Sequence, residues 1–156
     1  MNLATIPAQE GLTAATLHSQ SLNTGLSLRG ELIWLIHQVE FFVYPYPSLS
    51  NTQWNLQVCL STQSGLSSFP DADQRGVIAS HYYTHLYPSS GNQWWVDEDP
   101  FIHSYLPPIP LASSMVIMYV YSNMTVASTN VWTRIGYTTV PLTSATYLEI
   151  AEAWGW

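Results

Sequence analysis

The feature that most constrains this chain is a hydrophobic period of two, which runs almost unbroken from about residue 27 to residue 142. "LRGELIWLIHQVEFFVY" (28–44) puts Ile33, Leu35, His37, Val39, Phe41 and Val43 on one face. Leu32, Trp34, Ile36, Gln38, Glu40, Phe42 and Tyr44 fall on the other. This is a long strand, buried on both sides at its start and opening to solvent near Gln38 and Glu40. "YPYPSLSN" ends it, because proline offers no N–H to a ladder. In "QWNLQVCLST", Trp54, Leu56, Val58 and Leu60 point inward, while Gln53, Asn55, Gln57 and Ser61 point outward. "VIASHYYTHLY", "QWWV", "SMVIMYVYS" and "VWTRIGYTTV" read as further strands. The loop "QSGLSSFPDADQRG", the turns "PSSGN" and "DEDP" and the proline-dense "LPPIPLAS" separate them. "NMTVASTN" is expected to join the last two long strands as a hairpin connection.

Seven or eight strands with turn-rich connections predict an all-β chain: a β-sandwich, and among sandwiches a single jelly roll. Residues 1–26 have weak periodicity and are expected to form an N-terminal arm or edge segment, with the sandwich spanning 27–142. In the tail, Tyr147, Leu148, Ala151 and Trp154 recur at helical spacing behind Thr143 or Ser144, which predicts a short C-terminal amphipathic helix over 143–156. A length of 156 residues suits one domain with a single core.

Only 8% of residues are charged, and there is no lysine; Arg29, Arg75 and Arg134 are the only fixed cations. Chemistry that depends on a P-loop, Schiff-base or cofactor-anchoring lysine is thereby excluded. A net charge of −7 with three scattered arginines also opposes direct binding to a phosphate backbone. The single cysteine, Cys59, forbids an internal disulfide and reads as an inert strand residue. The first residues lack a basic start and an apolar run, and no apolar window is long enough to span a bilayer. Neither a secretory signal nor a membrane span is expected.

"SHYYTHLYP" (80–88) carries two histidines four residues apart. On a strand, four residues cover about 13 Å, too far for His81 and His85 to share a zinc ion. His81, Tyr83, His85 and Tyr87 instead line one face, expected to meet solvent or a neighbouring subunit. Assembly through that face would vary with pH near the ordinary histidine value of about 6.5. Asp97, Glu98 and Asp99 lack the spacing of a calcium loop and read as a solvated turn. Asp71 and Asp73 have Arg75 as a simple ionic partner. No nucleophile elbow, zinc-helix or dinucleotide motif occurs, so no catalytic residue, metal or cofactor is expected. "NMT" at Asn123 matches the glycosylation sequon and is taken as chance. The aromatic residues stand out. Trp94, Trp95, Trp154 and Trp156, with His81, Tyr83 and His85, are the candidate interface, since interfaces enrich Tyr and Trp and deplete Lys, Glu and Asp.

"VEFFVYP" and the tail "RIGYTTVPLTSATYLEIAEAW" resemble small structural proteins of tailless icosahedral viruses of prokaryotes, from about residue 28 to the end, in segment order and texture. The resemblance implies a short β-sandwich that tiles a shell beside copies of itself and other virion proteins. Shell proteins that touch the genome often carry a basic arm; here Glu10 is the only charged side chain in residues 1–26. That departure implies a virion shell without direct nucleic-acid contact, over a membrane or an inner protein layer. The alternative expectation is a carbohydrate-binding sandwich that uses Trp94, Trp95 and the 97–99 loop for glycans.

Overall fold

The structure is a computed structural model that describes residues 1–27, 32–47, 49, 51–87, 100–143 and 148. Its elements are β1 (Asn2–Leu12), β2 (Leu17–Asn23), β3 (Leu32–Tyr44), β4 (Thr52–Ser61), β5 (Val77–Tyr87), β6 (Phe101–Leu111), β7 (Met115–Ser122) and β8 (Val126–Pro141). They form two four-stranded antiparallel sheets, sheet A in the order β1-β8-β3-β6 and sheet B in the order β2-β7-β4-β5. β1 pairs with β8, β2 with β7, β3 with β6 and β4 with β5. The chain is thus one long two-stranded ribbon, turned back at the β4–β5 loop and rolled up until β8 meets β3 and β7 meets β4. This is a single jelly roll.

Among the described strands, consecutive ones share a sheet only at β4–β5. "NMTVASTN" is therefore a crossing from sheet B to sheet A and not a hairpin connection, and its second half already belongs to β8. Residues 1–26 supply β1 and β2, an edge strand for each sheet, so the sandwich begins at Asn2 rather than at residue 27. "LPPIPL" lies inside β6, where a linker was expected. The outermost strand of a sheet tolerates prolines because its free side needs no donors. "QWWV" and nearly all of the helix expected over 143–156 lie outside the described residues.

The core fills the space between the sheets, with Trp54, Tyr83 and Phe41 as its largest fully buried side chains. Trp54, Leu56, Val58 and Leu60 all point into it. Ser61, expected outside, is buried and donates to the Gly76 carbonyl. In β3 the strict alternation fails. A bulge between Ile36 and Gln38 inserts one residue, so Trp34 and Ile36 share the core with Val39, Phe41 and Val43.

Candidate functional site

β5 turns the row expected as an outer wall inward. Tyr83 and His85 are fully buried, Tyr87 is buried, and His81 is half-buried. This corrects the expectation of an interface along His81, Tyr83 and His85, because their face meets the opposite sheet. Tyr83 and His85 therefore offer no surface to a neighbouring copy. The Tyr83 ring stands between the two imidazoles, with ring centroids 4.4 Å from His81 and 6.3 Å from His85. His81 stacks on Phe101 of β6, while His85 packs among Trp54 and Tyr46. Among the described residues, no three His, Cys, Asp or Glu side chains gather into a metal-ligating group.

β6 joins this row from the other sheet. His103 Nε2–H donates to the Ser80 carbonyl at 2.9 Å, and Tyr105 O–H donates to the Ile78 carbonyl at 2.7 Å. Both acceptors lie on β5, the edge strand of sheet B. Side chains of one edge strand therefore satisfy carbonyls of the other where the sheets part. Burial pushes the Tyr105 hydroxyl up to about 12. The two hydrogen bonds tie β6 to β5 across the sandwich.

The outward face of sheet A is different. Its cross-strand rows follow from the register: Leu3–Gly136–Gln38–Ser104, then Thr5–Arg134–Glu40–Ile102, then Trp132–Phe42. At its centre Arg134 pairs with Glu40, whose other carboxylate oxygen accepts from Gln38 Nε2–H. Among the described residues this is the only ion pair, and the expected contact of Arg75 with Asp71 or Asp73 is not formed. Phe42 and Trp132 stack in parallel at 5.1 Å, with the Arg134 guanidinium over the Phe42 ring. Met1 lies over Gly136, where a Cβ would come within 3.0 Å of its sulfur. Leu3, Ile102 and Tyr44 are exposed around the pair, and Leu106 projects from the adjoining bulge of β6 at 98% exposure.

No family model matches this chain, and neither does any curated protein. Trp94, Trp95, Trp154 and Trp156 lie outside the described residues, as do Asp97, Glu98 and Asp99. Asn123 of the sequon is engaged structurally: its Oδ1 accepts from Asn55 N–H, and its Nδ2–H donates to the Gln53 carbonyl. Among the described residues, no helix is long and apolar enough to cross a membrane.

The outward face of sheet A was missed at the sequence level. Its members alternate correctly along β3 and β8, but their grouping depends on strand order and on the bulge at Ile36. Phe42 beside Glu40, on the half of β3 expected to open to solvent, was the available signal.

Proposed function

We propose that this chain is a non-enzymatic structural subunit that assembles with copies of itself into a shell, as a virion capsid protein. The observation that carries the reading is the outward face of sheet A, an apolar and aromatic ring around one ion pair. Phe, Trp, Tyr, Met and Arg are enriched at protein interfaces, and lysine is depleted; this face has that composition. Covering an exposed large side chain contributes about 1.5–3 kcal/mol. Contacts of that size, repeated by symmetry, hold an assembly whose single pairs are weak. Residues 1–26 are not basic and are bound into the sandwich as edge strands, which supports a shell that does not hold the genome itself. Other virion proteins, or a membrane beneath the shell, would then separate the two.

The test is solution mass by light scattering after size exclusion, across protein concentrations, for the natural chain and for Leu3→Asp combined with Ile102→Asp. The expected result is a concentration-dependent series of oligomers or closed shells, lost in the double variant while its circular dichroism is unchanged. A natural chain that stays monomeric at every concentration overturns the proposal. Assembly that survives both substitutions removes this face from it.

A further inference from the structure

On the opposite side of the molecule, the register of sheet B sets one outward row across four strands: Tyr82 on β5, Gln57 on β4, Tyr121 on β7 and Leu17 on β2. One row further on, Cys59 and Tyr119 are roofed by Leu66 and Phe69 of the loop over 62–76. The rim of that roof runs beside the Tyr82–Gln57–Tyr121 row, and two cavities open between rim and row. The larger, of about 420 Å³, is lined by Gln57, Phe69, Asp71, Ser80 and Tyr82 among others. The smaller, of about 280 Å³, is lined by Gln57, Ser67, Ser68, Phe69 and Tyr121 among others. Gln57 and Phe69 border both, so the two are neighbouring halves of one groove.

The groove is built before any ligand arrives. The neck of the loop is closed by Thr62 N–H donating to the Gly76 carbonyl at 2.9 Å and by Gln74 Nε2–H donating to Gln63 Oε1 at 2.8 Å. Tyr119 O–H, from the sheet beneath, donates to the Gln63 carbonyl at 2.8 Å. Phe69 anchors the rim in the small apolar cluster over Cys59.

We propose that this groove binds a neutral carbohydrate. Its lining narrows the ligand class by elimination. Among the described residues no lysine or arginine lines either half, His81 borders the larger half with its ring turned inward onto Phe101, and Asp71 contributes a carboxylate, so an anionic ligand would meet a like charge and no fixed partner charge. An apolar ligand would strip water from an amide, a carboxylate and serine hydroxyls without replacing their hydrogen bonds. An uncharged ring with hydroxyls around its rim and C–H groups on its faces matches both kinds of lining. The Gln57 amide both donates and accepts, and Asp71 accepts from hydroxyls in short charge-assisted bonds. The Tyr82 ring, 48% exposed, offers a flat apolar surface beside them. The volume of the larger half falls within the ~300–1,000 Å³ of small-molecule sites. The site does not rest on the shell reading, because a single chain carries all of it and the assembly face is on the other sheet.

The experiment is a glycan array followed by calorimetric titration of the best neutral oligosaccharide and of its sulfated form, on the full chain and on Tyr82→Ala, Asp71→Ala and Leu86→Ala. Leu86 lies on the same strand and face but outside the groove. The expected result is saturable binding of the neutral glycan, weakened about tenfold or more by Tyr82→Ala and by Asp71→Ala. Leu86→Ala leaves it unchanged, and the sulfated form binds more weakly. No neutral glycan above background on the array overturns the proposal. So does binding indifferent to both groove substitutions, or a preference for the sulfated form.

Discussion

Thr133 sits on β8 between Val131 and Ile135, fully buried, and its hydroxyl has no hydrogen-bond partner among the described residues. A threonine there keeps the β-branched shape that a strand favours but desolvates a polar atom. Thr133→Val keeps the shape and removes the atom. It is expected to raise unfolding stability by about 1 kcal/mol in urea titration, and a loss of stability would falsify the account of this site. Two other residues bear on stability in alkali. Burial pushes the Cys59 thiol up to about 12 and the Tyr105 hydroxyl up to about 12, from 9.0 and 10.0. Because both values are raised in the folded chain, the neutral forms favour folding fully below pH 9, and that advantage is lost as pH climbs towards 12. The urea midpoint should fall steadily over that window; a flat profile would contradict the burial of both groups.

At the scale of elements, β6 shows how a sandwich manages its open side. Prolines at 107, 108 and 110 remove donors from the edge, and a bulge over 105–108 lifts the strand out of the ladder with β3. Both features oppose edge-to-edge pairing with another chain. The β6 edge is therefore a poor site for strand addition by another chain. Inside the same strand, Tyr105 and His103 bind carbonyls of β5. Tyr105→Phe keeps the ring and drops the donor, so thermal or chemical unfolding should show a cost of about 1 kcal/mol while oligomeric state is unchanged. The β4–β5 loop depends on Gly76, at φ +87°, where a Cβ would lie 2.9 Å from the Gln63 side chain. Gly76→Ala is expected to cost about 1 kcal/mol or more and to lower the affinity of the groove beside it.

For the whole molecule, the rolled ribbon has kinetic and colloidal consequences. Among the described strands only β4 and β5 are neighbours both in sequence and in a sheet, so almost every pairing must close a long loop first. Refolding from denaturant is expected in milliseconds to seconds, and completion within microseconds by stopped-flow or temperature-jump fluorescence would be incompatible with this topology. Self-association should draw on apolar burial around one ion pair, not on many. Raising sodium chloride from about 0.1 M to about 1 M should not dissociate it, because salt screens the repulsion between copies of net charge −7, and sulfate should strengthen it. Dissociation by sodium chloride in light scattering would show that charge pairs carry the contact instead.

The period of two in "QWNLQVCLST" was enough to place Trp54, Leu56, Val58 and Leu60 in a core, because alternation is imposed by the backbone of a single strand. Strand chemistry, the paucity of charge and the all-β sandwich were legible for the same reason: each is a property of local sequence. The inward turn of His81, Tyr83 and His85 was not, since both faces of β5 carry aromatic residues and only the second sheet selects between them. The bulge in β3 was also invisible, because an inserted residue leaves no mark when both faces are apolar. The jelly-roll order, the ring around Glu40 and Arg134, and the groove beside Phe69 unite residues far apart in the chain. Such groupings are fixed by which strands lie side by side, and that is settled only when the whole ribbon packs.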